Sequence, residues 1–292
     1  GRLLETARRR GIVAVGWGES RYPPPLAEID DPPAALWIRG DPAAFSPRAV
    51  AIVGSRTGSP YACAVAEALG ADLARRGVTV VSGLARGVDA AAHRGAVAGD
   101  GLTVAVLGSG VDVVYPREHG SLAARVASSG ALVSELGPGA PPLAHHFPRR
   151  NRILSGLSRA VVVVEAAARS GSLITARFAA EQGREVMAVP GNVLSGRSAG
   201  AHALIRDGAK IVETADDILE EIGCDRAAAD PAGTTEPSDP VLEEMEIGES
   251  IGIDSLIARC GLAAPVLLRR LTELELEGRV ARTDPGLYVR LP

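Results

Sequence analysis

The sequence has few of the residues that mark several large classes of protein. Its three cysteines lie too far apart for a zinc site or a disulfide framework, and its histidines lack matching cysteine or carboxylate partners. It has no apolar stretch of membrane-spanning length and no segment that is typical of a leader peptide. We therefore expect a protein of the reducing cytoplasm, with no metal site and no membrane contact.

Lysine is almost absent, so arginine carries nearly all of the positive charge. Lys210 is the only lysine in the sequence, and the formal net charge is −4. Residues 48–223 hold 18 basic and 16 acidic side chains. Bulk charge therefore does not indicate nucleic-acid binding, and any such site must be a local patch. The densest basic patch in this region is Arg149–Arg152.

The segment around this patch combines several groups that suit a polyanion. Phe147 precedes Arg149, Arg150, Asn151 and Arg152, and an uncharged β-branched run that is typical of a buried parallel strand follows. A guanidinium can grip a phosphate or stack on a base, and a phenyl ring offers a stacking surface that tolerates any base. The pattern favours single-stranded nucleic acid. The alternative is a solvated helix that begins with these arginines, with Phe147 in the core.

Strand and helix patterns alternate from residue 48 onward. The predicted strands are residues 49–53, 78–82, 102–107, 131–134, 160–164 and 185–189, and the predicted helices are residues 61–75, 90–98, 118–128 and 173–182. Such alternation predicts βαβ units and a doubly wound, parallel sheet.

Most of these strands end in a loop of small residues. The loops are Gly54-Ser55-Arg56, Ser82–Gly87, Gly108-Ser109-Gly110, Ser170-Gly171-Ser172 and Pro190-Gly191-Asn192. All of them should lie along one edge of the sheet, where backbone N–H groups and helix N-termini favour anions. Neither a G-x-G-x-x-G fingerprint nor a G-x-x-x-x-G-K-[ST] loop is present, so we expect no dinucleotide, no ATP and no other cofactor.

The two ends of the chain break the alternation. Residues 1–47 contain many prolines and are expected to form an extended lead-in, and residues 224–240 are expected to form a flexible linker. Residues 241–292 predict three short helices and a two-stranded motif, which is typical of a winged helix. This region has six basic and nine acidic residues, a composition that binds duplex DNA poorly.

Several short motifs follow one another in an order that is specific as a set. They are Gly54-Ser55-Arg56, Ser82–Asp89, Gly108–Asp112, Tyr115-Pro116, Ser134-Glu135, Phe147–Arg152, Ser170–Leu173 and Pro190-Gly191-Asn192. Across residues 20–222 the chain resembles the DNA-processing protein A family, DprA, also called Smf. The resemblance implies an α/β protein with an extended Rossmann-like, doubly wound and mostly parallel sheet at residues 48–223, and a small C-terminal winged-helix domain. Residues 1–47 would be the remnant of a helical domain.

The resemblance also implies a function and a set of contact residues. Members of the family bind single-stranded DNA, form homodimers and load the RecA recombinase in natural transformation or recombination, so we expect a recombination mediator rather than an enzyme. Carried over residue by residue, the DNA-binding set is Gly54, Ser55, Arg56, Ser82, Gly83, Ala85, Gly87, Phe147, Arg149, Arg150, Asn151, Arg152, Ser170, Gly171 and Ser172.

Two other functions remain open from the sequence. The glycine-edged fold also resembles the lysine-decarboxylase-like phosphoribohydrolases, although the P-G-G-x-G-T loop of those enzymes is missing. A nucleotide-sensing transcription regulator would use the winged helix to read duplex DNA, which its acidic character disfavours. Asp89 is expected to cap a helix that begins at Ala90, and Arg86 is as well suited to an ion pair as to a DNA contact.

Overall fold

A computed structural model describes residues 2–224, 239–284 and 286–291 of the chain. Most of the linker that the sequence predicts at residues 224–240 lies outside the described residues. Residues 2–58 and 66–224 belong to the larger of two compact units, and residues 239–291 belong to the smaller one. Within the described ranges, no helix is long and apolar enough to cross a membrane.

Strands and helices alternate through the larger unit. The strands are β1 (Ile12–Gly16), β2 (Ala35–Gly40), β3 (Ala49–Gly54), β4 (Thr79–Ser82), β5 (Thr103–Val106), β6 (Gly130–Ser134), β7 (Ala160–Val164), β8 (Glu185–Ala188) and β9 (Lys210–Ile211). The helices are α1 (Arg2–Arg9), α2 (Pro24–Ala27), α3 (Pro60–Arg75), α4 (Val88–Ala98), α5 (Gly120–Ser128), α6 (His146–Gly156), α7 (Ser172–Glu181), α8 (Ala199–Arg206) and α9 (Ala215–Glu221). Short 3-10 helices lie at Pro42–Ala44 and Arg117–His119. Every strand and helix predicted between residues 49 and 189 is found.

The strands form one sheet in the order β1-β2-β6-β5-β4-β3-β7-β8-β9. Neighbouring strands from β6 to β9 are parallel, whereas β2 is antiparallel to both β1 and β6. The predicted doubly wound, mostly parallel sheet is therefore confirmed. The order reverses at β3, which has β4 on one side and β7 on the other. In open α/β sheets such a reversal places a crevice at the carboxyl ends of the two strands.

Apolar residues on both faces of the sheet explain its uncharged strands. Ala131 and Val133 of β6 pack into one core together with residues of α2, α6 and α7. Leu132 of the same strand packs into a second core together with residues of α1, α4 and α5. Because successive side chains of a strand point to opposite faces, a strand covered on both sides needs an unbroken apolar run. All five residues of β7 are buried for this reason.

The expectation of an extended lead-in at residues 1–47 is wrong. β1 and β2 pair with each other, and β2 then joins the sheet edge through the pairs Trp37↔Ser134 and Ile38↔Val133. Leu36 and Ile38 are fully buried. Five of the seven prolines in this region lie in the connection between the two strands, where the carbonyl of Pro33 accepts the hydroxyl of Tyr22 at 2.8 Å. The sequence pattern missed these strands because the proline-rich connection separates two short apolar segments whose pairing depends on distant β6.

The smaller unit has the helices and the antiparallel sheet of the predicted winged-helix domain. Its elements are α10 (Pro240–Glu243), β10 (Ser250–Gly252), α11 (Ile253–Cys260), α12 (Ala264–Leu276), β11 (Val280–Asp284) and β12 (Leu287–Arg290). The sheet order is β10-β12-β11, so one strand more than predicted takes part. Leu267, Leu271 and Leu274 of α12 are fully buried in its core. Their spacing of three and four residues keeps them on one helix face.

Candidate nucleic-acid interface

A crevice opens at the point where the strand order reverses, between the carboxyl ends of β3 and β7. It contains a cavity of about 520 Å³, which lies within the usual size of ligand pockets. Residues 53–56 form one wall, residues between 167 and 175 form a second wall, and side chains of α6 close it from a third side. Three segments that are distant in sequence therefore meet at the edge predicted from the glycine loops.

The first loop is held between β7 and α4. The N–H group of Ser55 donates to the carbonyl of Glu165 at 2.9 Å, and the carbonyl of Ser55 accepts the N–H group of Val88 at 3.2 Å. Gly54 and Ser55 line the cavity, and the exposed guanidinium of Arg56 lies 5.4 Å from the centroid of the Phe147 ring. The loop thus places the solvent-exposed guanidinium of Arg56 beside an aromatic ring.

The second loop is tied down by a buried carboxylate and by a buried guanidinium. The N–H groups of Gly83 and Ala85 donate to Oδ2 of Asp89 at 3.1 and 3.4 Å. Arg150 donates through Nη1 to the carbonyl of Gly83 at 3.0 Å and to the carbonyl of Val106. A side chain at position 83 would collide with both charged groups, since its Cβ would lie 2.6 Å from Oδ2 of Asp89.

Like Gly83, the other two predicted residues Ser82 and Gly87 lie away from the main cavity, and Ala85 is the member of this loop's predicted set that lines it. Ser82 is buried, and its hydroxyl donates to the carbonyl of Ile52 at 2.6 Å. Gly87 stands before α4 with a φ of +70°, and its backbone packs against that of Ser55 and Arg56. The expectation that Asp89 caps a helix starting at Ala90 is wrong, because α4 begins at Val88 and the Asp89 carboxylate turns back to the preceding loop.

The predicted DNA-binding segment Phe147–Arg152 lies in helix α6. Some of its arginine side chains are exposed to solvent and others are buried in the protein. Among residues 149–152, all of which the structure describes, Arg149 alone is exposed, and 67% of its side chain is accessible to solvent. Its Nε lies 3.6 Å from Oε1 of Glu135. Arg152 is buried, and its Nε and Nη2 lie 2.8 Å from Asp31 and 2.7 Å from Glu135. Arg150 is buried under the second loop. The sequence predicts three guanidiniums presented to phosphates; in the structure two of the three are buried and bonded to protein groups, and Arg149 is the exposed one.

Burial also governs the ionisation of Asp89 and Arg150. Burial raises the pKa of Asp89, and this shift is opposed by the charge of Arg150 and by the N–H groups of Ala85 and Gly83. Burial lowers the pKa of Arg150 to about 10, an effect that the charge of Asp89 opposes. Arg150 therefore keeps its positive charge at neutral pH while it is shielded from solvent.

The third loop joins the cavity to the N-terminus of α7. Ser170, Gly171 and Ser172 all line the cavity, and the hydroxyls of Ser170 and Ser172 lie 2.7 Å apart. Asn151 of α6 donates through Nδ2 to the carbonyl of Gly171 at 3.4 Å. The positive end of a helix dipole favours anions, so this wall of the cavity suits a phosphate.

Sequence reasoning missed several residues of the crevice. Arg169 is exposed, lines the cavity and stands in the loop after β7, so its position between a predicted strand and a predicted glycine loop was the available signal. Thr175 and Leu154 also line the cavity, but helical periodicity alone could not show which face of α6 or α7 turns toward it. Arg86, which the sequence left undecided, forms an exposed ion pair with Glu118, with 2.6 Å between Nε and Oε1. Among the described residues, no group of three or more His, Cys, Asp or Glu side chains is placed to hold a metal ion.

Comparison with known protein families gives two matches that together cover most of the chain. Residues 14–223 match the model of the family described as DNA recombination-mediator protein A. Residues 225–286 match the model of the DprA winged helix domain. Protein Smf of Escherichia coli K12 is 44% identical over 281 residues, which cover 92% of this chain and 75% of the E. coli protein.

Two solved structures are similar to this chain. One is DNA processing protein A (DprA) from Streptococcus pneumoniae, with 41% identity and a TM-score of 0.70 over 74% of this chain and 77% of that chain. The other is DNA processing protein A from Helicobacter pylori, with 27% identity and a TM-score of 0.65 over 72% of this chain and 94% of that chain. The Helicobacter pylori structure is described as showing a single-stranded DNA binding mode of that protein.

Proposed function

Because this chain belongs to the DNA recombination-mediator protein A family, DprA or Smf, we propose that it binds single-stranded DNA in the crevice between β3 and β7. The observation that carries the proposal is the meeting of exposed guanidiniums, a helix N-terminus and an aromatic ring in one cavity of about 520 Å³. Arg56 and Arg169 are the exposed cations that line this cavity, and exposed Arg149 lines a neighbouring hollow of about 210 Å³, which shares Arg150 with the cavity. The single-stranded DNA binding described for the Helicobacter pylori relative supports the same ligand.

Different residues of the crevice would contact the phosphates and the bases of the DNA. Arg56, Arg149 and Arg169 would neutralise phosphates, and the positive end of the α7 dipole at Ser172 would favour a further phosphate. Phe147 would stack on a base without reading its identity. The small residues Ser55, Ala85, Ser170 and Gly171 line the cavity and would let the DNA approach the protein backbone closely. Gly54 instead permits close packing of the first loop against Val164 and Val88. Binding through phosphates and base faces suits a protein that must accept any sequence.

The buried residues of the predicted DNA-binding set have a different role in this proposal. Arg150 and Arg152 hold α6 against neighbouring loops, and Gly83 and Ser82 hold the second loop in place, so they shape the crevice without contacting phosphate. Asn151 joins α6 to the α7 loop in the same way. Gly87 permits the close approach of the first and second loops.

The winged-helix unit is not needed for binding in this proposal. Arg270 of α12 is already paired with Asp239 at 2.6 Å and with Glu273 at 2.7 Å. Hydrogen bonds to Glu273 and Asp239 raise the pKa of Arg270, because these carboxylates stabilise its charged form. α12 has two arginines, and with Arg270 neutralised in this way only Arg269 is left to contact phosphates, so the helix offers little to duplex DNA.

We further propose the family role in recombination. As a recombination mediator the protein would form a homodimer, load the RecA recombinase onto bound single-stranded DNA in transformation or recombination, and act in the cytoplasm without a catalytic step. The family description and the sequence resemblance support this role. A dimer would hold two stretches of one strand and gain avidity from their linkage. Sedimentation velocity at micromolar concentration tests the dimer, and a purely monomeric species would count against it.

The binding proposal can be tested with fluorescence anisotropy on labelled DNA. The wild-type protein should bind a single-stranded oligonucleotide more tightly than the same sequence as a duplex. Arg56→Ala, Arg149→Ala and Arg169→Ala should each weaken binding and reduce the log–log salt slope by about 0.7.

The matched control is Arg177→Ala. Arg177 is an exposed arginine of α7 that pairs with Glu181 at 2.8 Å and lines neither the cavity nor the neighbouring hollow. Its loss should leave the salt slope unchanged. Equal affinity for single strand and duplex, or equal effects of all four substitutions, would rule out the crevice as the binding site.

A further inference from the structure

A second aromatic ring lies beside Phe147 at the rim of the crevice. Tyr115 belongs to the segment between β5 and the 3-10 helix Arg117–His119, and 44% of the residue is exposed. Its ring centroid is 5.6 Å from that of Phe147, and the two ring planes are inclined by 48°. This distance is typical of aromatic rings in contact, so the two side chains form one surface.

Phe147 is held in place on more than one side. Its ring packs on the backbone of Gly108, where an added Cβ would lie 2.8 Å from Cδ1 of the ring. Arg56 covers the ring from another direction, with its guanidinium carbon 5.4 Å from the centroid. Phe147 is only partly accessible as a result. Tyr115 is therefore the more accessible ring of the pair.

The surface continues beyond Phe147 to a second cation. A hollow of about 50 Å³ is bordered by Tyr115, Pro116 and Arg86, and it shares Arg56 and Phe147 with the main cavity. This volume is too small to enclose a base, so a base at this place would lie against the open face of Tyr115. The exposed side chains of Arg56 and Arg86 border the same hollow as the two rings.

We infer that Tyr115 stacks on a base of the bound strand next to the base contacted by Phe147, so that the site holds at least two consecutive nucleotides. The inference rests on the proposed binding of single-stranded DNA. Stacking on an aromatic side chain contributes about 1–3 kcal/mol per base and is tolerant of sequence. Tyr115 thus lengthens the stacking surface without introducing base specificity.

The test compares a thymidine oligonucleotide with an abasic strand of the same length, which has the same phosphates and no bases. Tyr115→Ala should weaken binding of the thymidine strand by about 5- to 150-fold, which corresponds to about 1–3 kcal/mol. The salt slope should be unchanged, because no phosphate contact is lost. Tyr115→Phe retains the ring and should bind like the wild type, whereas Tyr115→Leu retains apolar volume without the ring and should bind like Tyr115→Ala. Binding of the abasic strand should be the same for all four proteins.

Three results would overturn the inference: wild-type affinity of Tyr115→Ala for the thymidine strand, an equal loss on both strands, or a loss in Tyr115→Phe as large as that in Tyr115→Ala. Thermal melting of each variant shows that the fold is retained. Arg56→Ala, measured alongside, separates this inference from the proposed function. If Arg56→Ala weakens binding and Tyr115→Ala does not, the stacking role of Tyr115 alone fails. If the wild type does not prefer single strands and Arg56→Ala has no effect, the proposed function fails.

Discussion

Arg149 and Arg150 are neighbours in α6, and the structure predicts opposite consequences for their loss. Arg150→Ala removes a buried guanidinium that donates to the carbonyls of Gly83 and Val106, and leaves the carboxylate of Asp89 without the buried charge that stabilises it. Breaking such a buried arrangement costs about 3–5 kcal/mol. Arg149→Ala removes an exposed side chain and should change the free energy of unfolding by less than about 1 kcal/mol.

Urea unfolding measures this difference directly. With a slope near the upper end of the usual range, about 3 kcal/mol per M, the midpoint for Arg150→Ala should fall by roughly 1–1.7 M. In DNA binding, measured at a temperature where both variants are folded, Arg149→Ala should have the larger effect and Arg150→Ala the smaller. Arg149→Ala should reduce the salt slope by about 0.7, and Arg150→Ala should leave it near the wild-type value.

The loss of stability in Arg150→Ala should also depend on pH. Burial already raises the pKa of Asp89 in the folded state, and removal of the Arg150 charge raises it further. A carboxyl group whose folded pKa lies above its unfolded value binds more protons in the folded state, so stability falls as pH rises through that interval. The Arg150→Ala deficit should therefore be larger at pH 8 than at pH 4, and Asp89→Asn in the same background should remove the difference. A variant with wild-type stability and a reduced salt slope would refute the reasoning and make Arg150 a phosphate contact.

Three further predictions concern other groups of the described structure. Burial lowers the pKa of His93 to about 3, so the unfolded state binds more protons than the folded state between about pH 3 and pH 6.5. The free energy of unfolding should therefore fall by about 2 kcal/mol from pH 7 to pH 5. Urea unfolding at both pH values should show this fall, and His93→Gln should reduce it. Glu118→Gln frees Arg86 from its exposed ion pair and should increase the salt slope for single-stranded DNA by up to about 0.7, whereas an unchanged slope would place Arg86 outside the strand path. Arg269 is exposed on α12 of the winged-helix unit, and Arg269→Ala should leave affinity for single-stranded DNA within about twofold of the wild type; a loss as large as that of Arg149→Ala would show that this unit contacts the strand.

The succession of strands and helices between residues 49 and 189 follows from local sequence patterns. Uncharged β-branched runs and amphipathic segments are local signals, and the loops after the strands must share one edge because parallel strands all point the same way. For the same reason Gly54, Arg56, Ser170 and Ser172 can be placed together from the amino-acid sequence. The ordered set of short loop motifs also identifies the family.

Which side chains face the crevice depends instead on tertiary packing. Arg149, Arg150 and Arg152 look alike in sequence, but each residue of a helix is rotated by about 100° from the previous one, so their surroundings depend on what packs around α6. β2 joins the sheet by pairing with β6, and the ring of Tyr115 contacts that of Phe147 because β5 ends beside α6. Both contacts join segments that are far apart in the chain. Local patterns hold no information on such contacts, since burial, hydrogen-bond partners and pKa shifts arise only when distant segments pack together.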